Sequence, residues 1–331
     1  MRDPIQAFDE IEANFLLYVK TAFATKFPGV EAEREALLRK PGVFRQEPWI
    51  EALPKYRTAT RLAEFTGNEL PGYQPAEIAD FVALASCGLV GDYELFSHQL
   101  QMLRLAVAGK NAVVTAGTGS GKTEAFLLPI FAYLARESRQ WQPPGPTPQH
   151  LNDWWKNEPW QESSAQSDRS SRVPQRRGEV RPAGVRALLL YPMNALVEDQ
   201  MTRLRRALDS HKTWKWLKDH RAGNRIYFGR YNGNTPVPGH EYDEDGEPNQ
   251  LKIDSLIKQL RFAERASRAA QKHDAETGSD EARYFFPRLD GSEMRSRWDM
   301  QDAPPDILIS NYSMLSIMLM READSPPCQD S

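Results

Sequence analysis

The sequence has few cysteines, little net charge and no long apolar run. Its two cysteines, Cys87 and Cys328, stand far apart in 331 residues and lack metal-ligand spacing. This argues against a disulfide framework or zinc site and favours a reducing, cytoplasmic setting. The 42 lysines and arginines nearly balance the 45 aspartates and glutamates, so any nucleic-acid surface has to be local. Without an apolar run of about 18 residues, we expect no membrane partner.

Hydrophobic periodicity divides the chain into a helical front and an alternating remainder. Apolar residues at helical spacing predict helices over 5–26 and 31–39, within a mainly helical accessory module spanning residues 1–90. From residue 91 onward, short apolar strands alternate with helical patterns, which predicts an α/β fold with a parallel sheet. The predicted strands are 111–115, 185–191, 226–229 and 306–310.

Two biased segments interrupt this alternation, near 138–184 and 238–300. The first is rich in Pro, Gln, Ser and Arg, and its tryptophans are expected to pack it onto the body, with base stacking as the alternative. The second contains a charged helix near 250–275, which we interpret as a solvated face or a partner surface. The tryptophans of the first segment are Trp141, Trp154, Trp155 and Trp160.

The strongest motif is a glycine-rich loop that follows a predicted strand and opens a helix. Its small residues let successive backbone N–H groups converge on phosphate oxygens, and the helix N-terminus adds partial positive charge. Lys122 is expected to reach the β- and γ-phosphates of ATP, and the Thr123 hydroxyl to hold Mg²⁺. These two are the candidate catalytic residues. The whole loop is Ala116, Gly117, Thr118, Gly119, Ser120, Gly121, Lys122 and Thr123.

Further segments surround the loop in a fixed order. They are LFSHQ at 95–99, YPMNALVEDQ at 191–200, YNGNT at 231–235 and PPDILISNYSML at 304–315. Together with the loop they resemble superfamily 2 helicases of the DEAD/DEAH-box type, in the form of the large prokaryotic Lhr-like and YprA-like group. The resemblance implies that residues 91–331 form a first RecA-like motor domain, with ATP and Mg²⁺ as cofactors.

The resemblance also implies roles for single residues. Gln99 would read the adenine edge, since an amide both donates and accepts, and Phe96 would pack nearby. A basic stretch at 203–225 is either a solvated face or a strand-binding surface. The residues implied at the nucleic-acid backbone are Pro192, Asn194, Ala195, Arg203, Gly233, Ser310 and Asn311.

An Asp-Glu pair that would orient Mg²⁺ and activate water is not found after residue 315. The sequence therefore predicts the N-terminal part of a motor, truncated before the D-E-x-H motif. We expect an incomplete sheet with an open apolar edge and no competence for hydrolysis alone. A non-catalytic module that binds nucleic acid or a partner remains the alternative.

The front module also resembles the start of large prokaryotic helicases, some of them tied to phage-defence systems of the DISARM and Druantia kind. The partner expected for the whole chain is nucleic acid, DNA more than RNA. The similarity of the front module also implies other defence-system subunits as partners.

Overall fold

The computed structural model describes residues 3–40, 42–44, 46, 55–117, 119–324 and 327. The chain divides into two units, Met1–Lys55 and Tyr56–Ser331. In the first unit, α1 (Pro4–Ala22) and α2 (Pro28–Leu38) each begin at a proline, whose fixed φ suits the first helical position. Both helices lie where the sequence predicts them.

The second unit carries the remaining elements. Its strands are β1 (Thr58–Arg61), β2 (Glu94–Phe96), β3 (Ala187–Tyr191), β4 (Phe228–Tyr231) and β5 (Ile307–Asn311). Its helices are α3 (Pro75–Ser86), α4 (Ser97–Val107), α5 (Lys122–Glu137), α6 (Gln149–Asn152), α7 (Glu158–Gln166), α8 (Asn194–Leu208), α9 (His211–His220), α10 (Gln250–Thr277), α11 (Arg297–Asp302) and α12 (Tyr312–Met320).

A three-stranded parallel sheet lies at the centre of the second unit, in the order β3-β5-β4. Leu189 of β3 and Arg230 of β4 both stand opposite Ile309 of β5. Because β5 has a neighbour on each side, its residues are buried over most of its length, as is usual for an inner parallel strand. The predicted α/β class, a partial RecA-like sheet with flanking helices preceded by further helices, is confirmed.

The sheet ends at β3, and the strand predicted at 111–115 does not form. This segment has no regular secondary structure, and Val113 is 90% exposed. Leu188 and Leu190 of β3 are exposed by 42% and 45%. A strand needs a hydrogen-bonded neighbour, and no strand in the described part of the chain pairs with 111–115. The prediction of a buried strand here was wrong, whereas the expected open apolar edge is present.

Helices α3, α4, α5 and α8 cover the sheet and share one hydrophobic core. Fully buried members include Phe81 of α3, Leu103 of α4, Phe131 of α5 and Leu204 of α8. Since α3 contributes to this core, residues 56–90 belong with the second unit. The sequence had placed them in the helical front module.

The two insertions fold against each other around a second hydrophobic cluster. Trp154 and Trp155 from the first insertion and Leu256 and Trp298 from the second are at most 2% exposed. Helix α10 is the predicted charged helix, and it buries one face in this cluster. Trp160 joins the same cluster, and Trp141 packs on the main core; both are partly buried. Packing onto the body is thus confirmed for Trp141, whereas Trp154, Trp155 and Trp160 pack against the second insertion.

Candidate nucleotide and nucleic-acid site

The glycine-rich loop turns tightly before α5 begins at Lys122. Gly119 and Gly121 have φ values of 74° and 70°, in the left-handed region that glycine adopts without strain. A Cβ on Gly121 would lie 2.3 Å from Nε2 of Gln99, so a larger residue would displace that side chain. Thr118 lies outside the described residues. The remainder of the loop therefore needs its glycines for conformation and for close approach.

Lysine, hydroxyl and backbone groups of the loop suit a phosphate. Nζ of Lys122 donates to the carbonyl oxygens of Ala116 at 2.8 Å and Gly117 at 2.6 Å, which leaves the ammonium folded over the loop. Ser120 is buried, and its hydroxyl finds no hydrogen-bond partner in the described structure. The first amides of α5 lack intrahelical acceptors, as at any helix start. An anion that accepts from these groups would satisfy them.

Gln99 holds the loop to the start of α4. Its Oε1 accepts from the Phe96 backbone N–H at 2.8 Å, and its Nε2 donates to the carbonyl oxygen of Gly121 at 2.9 Å. The side chain is only 2% exposed. An amide has a second donor and a second lone pair, so these bonds leave capacity for a base. The structure brings Gln99 and Phe96 to the loop, and their contact with adenine stays a prediction.

An aromatic group that the sequence did not indicate stands beside the loop. The ring of Tyr56 lies 5.4 Å from Phe96 and 5.8 Å from His98, centroid to centroid. Nε2 of His98 is hydrogen-bonded to the carbonyl oxygen of Ser120 at 2.8 Å. A Cβ on Gly117 would lie 2.5 Å from the Tyr56 hydroxyl, so a larger residue there would displace that side chain. His98 lay inside the LFSHQ segment, but Tyr56 carried no spacing signal because the antiparallel pairing of β1 with β2 brings it close.

Three asparagine amides meet at the carboxyl end of the parallel sheet. Oδ1 of Asn194 accepts from Nδ2 of Asn311 at 2.8 Å and from Nδ2 of Asn232 at 3.3 Å. Each residue lies at the carboxyl end of a different strand or just beyond it, and Asn194 also begins α8. The structure thus brings together the segments of Pro192, Asn194 and Ala195, of Gly233, and of Asn311. Their contact with nucleic acid stays a prediction.

Ser310 has a different environment from the one expected. It is fully buried in β5, and its hydroxyl donates to the carbonyl oxygen of Tyr231 at 2.7 Å. The hydroxyl thus ties β5 to β4 inside the sheet. Its contact with nucleic acid stays a prediction.

Arg203 also has an internal partner that the sequence did not indicate. Its Nη1 lies 2.8 Å from Oε1 of Glu124 on α5, and its Nε lies 3.0 Å from Oδ2 of Asp199 on α8. Burial by itself would lower the pKa of Arg203, but the hydrogen bond to Asp199 and the charges of both carboxylates outweigh it and raise that pKa. Arg203 therefore joins the helix after β3 to the helix after the phosphate loop.

Part of the basic stretch at 203–225 is engaged within the fold. Arg205 forms a buried pair with Glu293 at 2.5 Å, and Arg221 pairs with Asp80 at 2.6 Å. The ring of Trp214 lies beneath the guanidinium of Arg225 at 4.3 Å, with Arg288 at 3.6 Å from the same ring. The exposed cations left on α9 are Lys212, Lys215 and Lys218. The available basic surface is thus smaller than the sequence suggests.

The remaining features of the described residues are the candidate metal ligands, the cysteines and the apolar helices. Within the described ranges, no group of histidine, cysteine, aspartate and glutamate side chains is arranged to hold a metal ion. The role of the Thr123 hydroxyl as an Mg²⁺ ligand stays a prediction. Burial raises the pKa of the Cys87 thiol, and Cys328 lies outside the described residues. None of the described helices combines the length and apolarity needed to cross a bilayer.

The comparison with known protein families matches the part of the chain that contains the phosphate loop. Residues 96–225, which run from Phe96 through the phosphate loop and α8, match the family model of the DEAD/DEAH box helicase. The matches support a helicase-family protein. The matched stretch contains the loop held by Gln99, strand β3 and helix α8.

Individual relatives extend the likeness beyond that stretch. The chain is 29% identical to Druantia protein DruE of Escherichia coli (strain UMEA 4076-1), over 97% of this chain and 17% of the relative. It is 32% identical to the probable ATP-dependent RNA helicase DDX59 of Rattus norvegicus, over 39% of this chain and 24% of the relative. The chain thus spans less than a quarter of the length of either relative. No solved structure matches it.

Proposed function

We propose that this chain binds ATP and nucleic acid as part of an ATP-driven helicase or translocase. The observation that carries the proposal is the phosphate loop, with Lys122 at the start of α5 and Gln99 bonded to Gly121, inside the stretch similar to DEAD/DEAH box helicases. A phosphate loop alone would leave the reaction open. The asparagine amides at the neighbouring sheet edge favour a motor, since they offer a second, separate binding surface.

Loop residues 116–123 would hold the nucleotide. The backbone amides at the start of α5 donate to phosphate oxygens, and Nζ of Lys122 exchanges the carbonyl oxygens of Ala116 and Gly117 for the β- and γ-phosphates. The Thr123 hydroxyl would hold Mg²⁺, which neutralises phosphate charge. Gln99 would use its remaining amide capacity to read adenine, beside the ring of Phe96.

The carboxyl edge of the sheet would hold the nucleic-acid backbone. The start of α8, with Pro192, Asn194 and Ala195, presents helix amides, and Asn311 and Gly233 lie at the neighbouring strand ends. Contacts of this kind position a strand without reading its sequence. We assign DNA rather than RNA as the strand that is bound.

Hydrolysis would need more than these residues. An Asp-Glu pair and a second motor domain are the groups that such a reaction uses. The proposal for the residues described above is therefore nucleotide and strand binding. The similarity to Druantia protein DruE over 97% of the chain supports a role in antiviral defence alongside other subunits.

Mutation of Lys122 tests the proposal directly. A fluorescent ATP analogue with Mg²⁺ should bind the wild-type chain saturably. Lys122→Ala should weaken that binding about tenfold or more, since a charge-assisted hydrogen bond contributes about 1.5–3 kcal/mol. Lys110→Ala, an exposed lysine before the loop, is the matched control and should bind as the wild type does. Undiminished binding by Lys122→Ala would overturn the proposal.

A further inference from the structure

One ion pair connects the two binding regions described above. Arg203 lies on α8, the helix that begins at the asparagine amides, and its Nη1 reaches Oε1 of Glu124 at 2.8 Å. Glu124 lies in the first turn of α5, directly after the residues that would hold phosphate and Mg²⁺. The Arg203 side chain is 43% exposed and that of Glu124 is 16% exposed. The pair is therefore partly shielded from water, which strengthens it relative to a surface pair.

On the nucleotide side, the carboxylate of Glu124 lies close to the loop. Its Oε2 lies 3.2 Å from the position that a Cβ on Gly121 would occupy, and Nε2 of Gln99 lies 2.3 Å from the same position. Gln99 bonds the carbonyl oxygen of Gly121, and the carboxylate of Glu124 lies on the same side of that glycine. A movement of Glu124 would change the space available to the left-handed turn at Gly121.

On the nucleic-acid side, an ion pair joins α8 to strand β4. Glu198 pairs with Arg230 of β4, and Asp199 fixes Nε of Arg203 at 3.0 Å. Burial, together with the charge of Asp199, raises the pKa of Tyr191 at the end of β3 to about 12. Glu198 and Asp199 thus lie on α8 between its first residue, Asn194, and Arg203.

We infer that Arg203 is a positioning residue that couples the two regions by holding Glu124 against the phosphate loop. Strand binding at the start of α8 then changes nucleotide affinity at the loop, and nucleotide binding changes strand affinity by the same factor. The inference rests on the proposed function, since it needs both ligands to bind.

A coupling measurement tests it. The affinity of the chain for a fluorescent ATP analogue with Mg²⁺ is measured with and without a saturating single-stranded DNA oligonucleotide. Couplings of this kind are typically about 5–150-fold. The coupling is the ratio of the nucleotide affinity with DNA to the nucleotide affinity without DNA. In Arg203→Gln and in Glu124→Gln these two affinities should differ by no more than about twofold. The double variant should do no more than either single change, because both remove the same contact.

Arg206→Gln is the matched control. Arg206 lies on the same helix with a comparable exposed fraction, but its carboxylate neighbour is Glu281 at 3.8 Å, away from the loop. It should keep the wild-type ratio. A conservative Arg203→Lys variant should restore part of it, and thermal unfolding of each variant checks folding.

The outcomes separate the inference from the proposed function. A wild-type chain that binds no nucleotide contradicts the proposed function. A wild-type chain that binds both ligands without coupling overturns the inference alone. So does an Arg203→Gln variant that loses strand affinity while Glu124→Gln behaves as wild type, because Arg203 would then contact the strand directly.

Discussion

The second unit has one side formed by the two insertions and another that carries the phosphate loop. The two sides differ in how far their polar groups are paired and their apolar groups are buried. On the insertion side, buried carboxylates meet buried guanidiniums, and tryptophans fill a separate cluster. On the phosphate-loop side, Val113 is solvent-exposed and β3 has no neighbour beyond it among the described strands. The compositionally biased insertions are thus closely packed, whereas the phosphate loop, which carries the strongest motif, lies beside the unpaired edge of the sheet.

The insertions are tied to the sheet by Asp306, at the start of β5. Its two carboxylate oxygens accept from Nη1 and Nη2 of Arg181 at 2.7 and 2.6 Å, and one of them also accepts from the Tyr227 backbone N–H at 2.8 Å. Arg181 in turn stacks on Trp141 at 3.7 Å. One carboxylate therefore fixes the first insertion, β4 and β5 together.

Asp306→Asn should have the largest effect on stability. It removes the carboxylate charge that both terminal nitrogens of the buried Arg181 face and leaves Glu179, 3.3 Å from its Nε, as the nearest carboxylate. Breaking one partner of a buried pair costs about 3–5 kcal/mol. Urea unfolding followed by tryptophan fluorescence measures the loss. Glu276→Gln removes one partner of the exposed pair with Lys272 and should change stability by less than about 1 kcal/mol. Equal losses of stability in the two variants would contradict the central role of Asp306 in holding the insertion side together.

Leu256→Ala on α10 tests the packing of the insertions. Leu256 is fully buried in the tryptophan cluster, so its truncation should lower the free energy of unfolding by about 2–5 kcal/mol. Leu251 on the same helix is 85% exposed, and Leu251→Ala should stay within about 0.5 kcal/mol of the wild type. If the insertions were loosely attached, the two variants would unfold alike.

The smallest effect on stability is expected at the open edge. Replacing Leu188 and Leu190 together by Thr removes exposed apolar surface from β3, so stability should change by at most about 1 kcal/mol. Self-association, measured by sedimentation across a concentration series, should fall, because exposed strand edges recruit other chains. Leu189→Thr, on the inner face of the same strand, should destabilise instead. Unchanged self-association would show that the chains do not associate through the exposed edge of β3.

Local patterns sufficed for much of the fold. Helical spacing located α1, and short β-branched or leucine runs located β3, β4 and β5. The phosphate loop was readable because its residue types and order follow from the ligand's shape and charge. The strand at 111–115 was wrongly predicted, since an apolar run specifies a strand only if a neighbour pairs with it.

Contacts between residues that are far apart along the chain could not be predicted from the sequence. Tyr56 reaches the loop only through the pairing of β1 with β2, and β1 is a polar run without a strand signal. Arg203 and Ser310 sit in segments that suggested phosphate contacts, yet their partners in the structure are Glu124 and the Tyr231 carbonyl oxygen. Residue type gives the chemistry a side chain can perform, while the partner it meets depends on how the whole chain folds.

Hydrogen–deuterium exchange of the full chain, with and without Mg²⁺ and ATP, tests the central claim most directly. Without nucleotide, amides at 111–117 should exchange much faster than those at 253–260. Saturating Mg²⁺ and ATP should slow exchange at 116–125 in the wild type and leave Lys122→Ala unchanged. Unaltered exchange at 116–125 in the wild type under those conditions would contradict the assignment of this loop as the nucleotide site.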